Sequence, residues 1–443
     1  MGEPLRKVLV ASLHFPPDTG AASHRYRLLA PRLPAHGWEP VVVAVDPARL
    51  GVRTEPGLSA LVHGPVRVVH AGALPAGFCR ALGFGDLGLR AWFHLRRTCA
   101  RLLDAERFEA AVVTMPPHPA GALGPWIRAR SGVPFVLDYQ DPWVGEWGRS
   151  VGGGPGGSPD LRSRLSRRLG EFLEPRAVAA ASGLAAVSSG TVEGHLARIP
   201  AARALPFEEI PLGGDPADFA AAARVPGLLP PFDPADGNLH LVYAGTLLPL
   251  GMETLRALLG AAGLVSGARP DLGRRLRLHF YGTSNRTDPG AAPRVLPEAE
   301  RLGVASMVEE VPERIDYARA VAALSSAAGI LLLGSSEPHY TASKIYPALL
   351  ARRPVLGLFH EASTSVAALR AAGRPPTVRV VTYGEAERAE GRTAEIARAL
   401  EALLAAPEFR AEDVDGEALA AFGADRLAGR LARLLDRIAR GAP

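Results

Sequence analysis

The chain has 443 residues and a mass of 46.6 kDa, too long for one ordinary core and enough for two domains of about 200 residues each, which excludes a single small binding module. Apolar residues make up 47% and charged residues 21%, so the chain can bury two cores and disorder is excluded as a whole-chain description. The net charge of +5 suits an anionic small molecule and is thin for a protein that wraps nucleic acid, so no nucleic-acid partner is expected.

Among the 50 basic residues only Lys7 and Lys344 are lysines, Gln140 is the only glutamine, and Asn238 and Asn285 are the only asparagines. Cys79 and Cys99 are too few for a disulfide framework and lack metal-ligand spacing, which points to a reducing compartment. Met1-Gly2-Glu3-Pro4 runs straight into a strand pattern, and no stretch of about 18 apolar residues occurs. The expectation is a cytoplasmic protein that does not span a membrane.

In chain order, Lys7–Leu13 (KVLVASL) is a short Val-rich apolar run, as in a strand buried on both faces of a parallel sheet. Val41–Val45, Val66–His70, Ala111–Thr114, Phe135–Asp138 and Leu184–Val187 read as further strands, with helical stretches such as Ala91–Leu103 and Trp126–Arg130 between them. A second series follows: Leu239–Ala244, Leu276–Tyr281, Met307–Val311, Gly329–Leu333, Pro354–Leu358 and Val378–Val381. Strands that alternate with helices predict α/β, doubly wound halves. The boundary falls in the Pro-, Gly- and Asp-rich stretch Gly213–Gly237, giving domains of 1–214 and 215–415. Gly416–Ile438 reads as a terminal helix, within 416–443, that packs back on one of the domains.

Gly145–Pro159 has the composition of a mobile loop. The helix after it sets Leu161, Leu165, Leu169 and Phe172 on one face against Arg162, Arg164, Arg167 and Arg168. Such a face either lies on an anionic membrane surface or is a solvated surface helix.

Ligands of open α/β sheets bind at the carboxyl ends of strands, so the residues just after each strand carry the candidates. After the first strand comes His14-Phe15-Pro16-Pro17-Asp18-Thr19-Gly20-Ala21, then Arg25 and Arg27. Backbone N–H groups at Gly20 and Ala21 can approach an anion, with Arg25 one turn on, unless Gly20 serves only the turn. No G-x-G-x-x-G follows any strand, which disfavours a dinucleotide enzyme. His118, after the fourth strand, is a candidate acid, base or sugar-hydroxyl contact. The next strand ends in Asp138-Tyr139-Gln140-Asp141-Pro142-Trp143, where carboxylates and an indole suit a sugar. Asp141 is the candidate base toward an acceptor hydroxyl, and Asp138 reads as a structural cap.

In the second half, Gly245-Thr246-Leu247 and Gly282-Thr283-Ser284-Asn285 offer close backbone approach and hydroxyls to a diphosphate. Gly334–Tyr346 adds Glu337, His339, Tyr340, Ser343 and Lys344 ahead of a helix. A lysine there opposes the helix dipole, so an anion, phosphate first, is expected to compensate it. Asp413-Val414-Asp415 has the letters of a metal motif but lies in a polar connection, and there is no G-x-S-x-G nucleophile. No metal or cofactor is expected.

These segments together resemble the GT-B glycosyltransferases of family 4 and the family 4-like group, which use nucleotide-sugars. KVLVASLHFPPDTGAASHRYRLLAPRL resembles their first strand and glycine loop, FVLDYQDPW their D-x-R-D-x-W segment with Gln140 in place of arginine, and IPLGGDPADF their linker with Leu212 in place of asparagine. HLVYAGTL, LHFYGTSN and SKIYPALLARRPVLGL are similar to the donor-side segments. The resemblance implies two Rossmann-like domains facing across a cleft that closes on the donor, a last helix crossing back to the first domain, and a retaining, metal-independent transfer. It implies Gly20 and Ala21 at the sugar or its phosphate, Asp141 at the acceptor, Gly245, Thr246, Ser343 and Lys344 on the diphosphate, and Glu313 and Arg314 near the base. Where family 4 enzymes carry two donor-loop glutamates this chain has His339 and Pro347, and Thr246 and Leu250 replace the usual arginine and lysine. Either Glu337 and Lys344 take over or the donor differs. The alternative is a degenerate GT-B protein that binds a glycan or partner without turnover.

Overall fold

The computed structural model describes residues 4–144, 161–188, 198–247, 249–284, 290–335 and 344–441. The chain divides into two units, Met1–Leu212 with Ala424–Pro443, and Gly213–Gly423. The expectations for the 145–159 loop and for Ser343, Glu337, His339 and Tyr340 lie outside the described residues.

The first unit holds seven strands: β1 (Arg6–Ala11), β2 (Trp38–Val45), β3 (Arg67–Ala71), β4 (Ala110–Met115), β5 (Phe135–Tyr139), β6 (Gly183–Ala186) and β7 (Phe207–Glu209). They form one sheet in the order β3-β2-β1-β4-β5-β6-β7, parallel throughout. Alternate β1 residues face opposite layers. Leu9 and Ala11 pack with Leu95 and Cys99 of the Leu87–Ala105 helix, and Val8 and Val10 pack with Tyr26, Trp38 and the Ala424–Ala439 helix. Burial on both faces explains why the strands read as continuous apolar runs.

The terminal segment departs from the single helix expected over Gly416–Ile438. A Gly416–Ala420 helix belongs to the second unit, and only the Ala424–Ala439 helix returns to the first. Between them Phe422 stacks on Tyr346 with ring centroids 4.3 Å apart, and Gly423 pairs with Gly214. The returning helix buries Leu427, Leu431, Leu434, Leu435 and Ile438. At about 1.5–3 kcal/mol per side chain, these five match the net stability of a whole domain, so the helix is core of the first unit. It also explains β7, which has no strand-like pattern in sequence: Arg433 and Arg437 reach Glu208 at 3.3 and 3.0 Å, and Arg430 donates to the Glu209 carbonyl at 3.1 Å.

The second unit holds β8 (Leu239–Ala244), β9 (Leu276–Tyr281), β10 (Val308–Val311), β11 (Gly329–Leu333), β12 (Val355–His360) and β13 (Val378–Tyr383). Their order is β10-β9-β8-β11-β12-β13, again all parallel. The Met252–Ala268 and Thr393–Ala405 helices cover one face.

One polar link crosses the first unit's core. Asp138, in β5, accepts from Arg25 Nε at 2.7 Å and Nη2 at 2.6 Å, while Arg25 Nη1 donates to the Ile210 carbonyl at 2.7 Å. Both side chains are about 1% exposed. Arg25→Met would strand the carboxylate and is expected to lower unfolding free energy by about 3–5 kcal/mol in a denaturant titration, with Arg25→Met/Asp138→Leu recovering most of the loss.

Candidate active site

Both sheets are doubly wound, with order reversing beside β1 in the first unit and β8 in the second. The loops at those switch points are where such folds bind ligands.

In the first unit, the loop after β1 is tied by the fully buried Asp18, which accepts from Gly20 N at 2.8 Å and holds His14 Nδ1 through its other oxygen. The Gly20 N–H is therefore committed within the loop. Ala21 is exposed, and its N–H has no partner among the described residues. Arg25 is not the anion clamp expected, because its guanidinium is buried against Asp138. Asp138 in turn is the arginine's counter-ion rather than a cap.

After β4 and β5 the structure brings His118 and Asp141 together. His118 Nε2 lies 3.3 Å from the Asp141 carbonyl, and its ring stacks on Trp143 at 6.2 Å between centroids and 19° between planes. Crowding of the loop pushes the Asp141 carboxyl up, opposed by the charge of His118, and burial pushes His118 down. Trp143 is not an open sugar platform. A Cβ at Gly121 would sit 2.5 Å from its ring and one at Gly170 3.1 Å, so two glycines clamp the indole. Gln140 is buried, and its Nε2 has no partner among the described residues.

In the second unit, backbone bonds carry the sheet pattern past the strand ends: Gly245 N donates to the Tyr281 carbonyl at 2.7 Å and Gly282 N to the Val311 carbonyl at 2.8 Å. A Cβ on Gly282 would stand 3.9 Å from Gly245 Cα and 3.8 Å from Arg314 Cα, so the ends of β8, β9 and β10 converge. Lys344 reaches this edge, its Nζ donating to Tyr243 Oη at 2.5 Å and to the Thr246 carbonyl at 2.8 Å, 4.2 Å from the centre of the Tyr243 ring. It forms no ion pair among the described residues, and burial pushes its pKa down to about 7. Tyr243 is a residue that sequence reading missed, since inside HLVYAGTL it looks like core.

Gly245 is required here for two reasons. Its φ is +134°, and a Cβ would lie 2.3 Å from Lys344 Cε. Other neighbours are spent on structure. Thr283 Oγ1 donates to Glu310 at 2.5 Å, and that carboxylate also caps the Leu296–Arg301 helix through Val295 N and Leu296 N at 2.9 and 3.0 Å. Glu313, expected near a base, accepts from Gly290 N and Ala291 N at 2.8 and 3.1 Å. Asp413 bonds Thr377 and Arg374, and Asp415 caps the Gly416–Ala420 helix, so the Asp-x-Asp letters are structural.

Residues 20–213 match the family model described as a glycosyl transferase 4-like domain. The protein carries a glycosyl transferase 4-like domain. The whole chain has the GT-B fold of solved relatives. A trehalose-phosphate synthase (UDP-forming) from Burkholderia vietnamiensis is 14% identical, with 99% of this chain and 100% of that one covered and a TM-score of 0.58. HepE from Anabaena, solved with UDP and glucose, is 15% identical over 98% and 99% with a TM-score of 0.51. A UDP-N-acetylglucosamine 2-epimerase from Listeria monocytogenes is 12% identical over 98% and 96% with a TM-score of 0.51. None of the curated proteins matches this chain. The GT-B fold expected from the sequence is thus the fold found, and the glycosyl transferase 4-like match lies in the first unit.

Gly245→Ala is expected to displace Lys344 and strain the turn, lowering the melting temperature of the glycosyltransferase in calorimetry, whereas Gly303→Ala, also at positive φ but with nothing within 4 Å of its Cβ, costs only the strain.

Proposed function

We propose that this glycosyltransferase moves a hexose from a nucleoside diphosphate sugar to a hydroxyl acceptor in making a polysaccharide, glycolipid or secondary metabolite, with retention and without a metal ion, in the cytoplasm. The observation that carries the reading is Lys344, a half-buried ammonium at the β8 switch point with no ion pair among the described residues. A diphosphate supplies the missing anion. Thr246, Gly282 and Ser343 complete the donor side by resemblance, and a uridine nucleotide is the first candidate because HepE was solved with UDP and glucose. Asp141 and His118 take the acceptor side, where a carboxylate accepts hydroxyl hydrogen bonds, and the unpartnered Gln140 amide adds a donor. Contact with an anionic membrane is part of the proposal: Leu165 and Phe172 are 67% and 55% exposed in the Leu161–Ala180 helix, beside Arg164, Arg167 and Arg168. No helix among the described residues is long and apolar enough to cross a membrane.

A thermal-shift panel of UDP-, GDP-, dTDP- and CDP-glucose tests the donor, and a shift with one base is expected. No shift with any of them favours the non-catalytic binding protein. Because diphosphate binding needs the charged ammonium, affinity for the donor should fall about tenfold per pH unit as pH rises above about 7, with one proton taken up per binding event. Lys344→Met should bind weakly with no such slope in calorimetry.

Asp141→Asn tests the acceptor side. It should lower transfer by about a hundredfold or more while leaving donor affinity nearly unchanged, and a large loss of nucleotide binding would move Asp141 to the donor.

A further inference from the structure

We propose that His240 and His279 form a single-proton latch, which holds residues 229–237 against the second sheet while both rings are neutral and releases them when the pair takes up a proton. The proposal is independent of the transfer reading.

Strand register puts His240 of β8, His279 and Tyr281 of β9 and Glu309 of β10 on one face of the sheet. Both imidazoles are buried, 4% and 2% exposed. A continuous chain of hydrogen bonds joins Asp236 Oδ1 to His240 Nε2 at 2.9 Å, His240 Nδ1 to His279 Nε2 at 2.8 Å, and His279 Nδ1 to Tyr281 Oη at 3.0 Å. The cover is the segment that leads into β8. Its Phe232 stacks on both rings, with centroids 4.4 Å from His240 and 4.8 Å from His279.

The chain of bonds has a direction. Asp236 also accepts from the Asn238 backbone N–H at 2.8 Å and side-chain amide at 2.7 Å, and these bonds hold its carboxyl well below the ordinary range. An ionised carboxylate only accepts, so His240 Nε2 carries a hydrogen. His240 Nδ1 then accepts from His279 Nε2, and His279 Nδ1 accepts from the Tyr281 hydroxyl. Each ring holds one hydrogen, and every donor points toward Asp236.

Only one more proton fits. On His279 Nδ1 it meets Glu309 Oε2, which lies 3.2 Å away and takes over from Tyr281. A proton on His240 Nδ1 would instead face the His279 Nε2 hydrogen across 2.8 Å. Burial opposes the charge most strongly and pushes His279 down to about 4; the second ring and Arg277 of β9 also oppose it, and Asp236 favours it. Arg319, from the Tyr317–Ser326 helix, acts on Tyr281.

Water relieves a buried charge, and water enters when the cover lifts. The cover is lightly held. Among the described residues no backbone-to-backbone bond joins residues 229–237 to the rest of the chain, and their ties are Phe232, Asp236 and the Gly237 carbonyl, which accepts from Arg275 at 2.9 Å. An uncovered histidine titrates near 6.5 and the covered ring at about 4. The closed form is therefore fully favoured above about 6.5. As pH falls from there toward about 4, the ratio of open to closed should rise about tenfold per pH unit and then level off.

The five tryptophans all belong to the first unit, so Phe232→Trp in the full chain, labelled with fluorotryptophan, adds one ¹⁹F resonance from the second. Acidification should move that resonance from a buried to a water-exposed position, with the slope of one proton and ahead of any loss of circular dichroism. Glu309→Gln removes the exposed carboxylate that faces the charged ring and should shift the change to lower pH. His240→Leu/His279→Leu should abolish it. An unmoved resonance in a chain that stays folded, a slope of two protons, an unshifted midpoint in Glu309→Gln, or release only together with global acid unfolding overturns the latch.

Discussion

All strands of each sheet run parallel, so every strand in a sheet ends on the same edge. Parallel strands need crossovers, and these place helices on both faces and leave the carboxyl edge as the place where loops of different origin meet. His14, His118 and Asp141 come to one edge from β1, β4 and β5, although more than a hundred residues separate the first from the other two. Gly245, Gly282 and Arg314 meet in the same way at the ends of β8, β9 and β10.

The two edges handle charge differently. In the first unit, buried carboxylates dominate, one matched by arginine and one by a histidine ring. In the second, a lysine is held in a socket of a tyrosine ring, a carbonyl and a glycine without a side chain. Burying a charged group is costly, and with no counter-ion for Lys344 among the described residues its burial lowers the pKa to about 7. A group poised in this way responds strongly to an arriving anion.

Several candidates turned out to hold the fold. Arg25, Thr283 and Glu313 have the residue types and positions of ligand contacts, yet their polar atoms serve Asp138, Glu310 and loop amides. Loops at a sheet edge carry many buried backbone groups, and those groups compete with ligands for the same side chains. Trp143 illustrates the same competition for an apolar surface, since Gly121 and Gly170 close on it before a sugar can.

The sequence by itself determined the α/β class, twelve of the strands to within a few residues and the division near residue 213, because buried parallel strands write short apolar runs and turn residues mark their ends. The edge strand β7 was not legible, since its three residues are held by arginines of a helix more than two hundred positions away. Nor was the break at Gly423, which arises from pairing with Gly214. Which polar residue binds and which supports was decided only by tertiary structure: Asp18 and Asp138 are alike as letters, and what distinguishes them is the partner that folding sets beside each, a histidine ring for one and an arginine for the other. Spacing along the chain specifies what a strand end offers, while hydrogen-bond partners remote in sequence determine what is left over for chemistry.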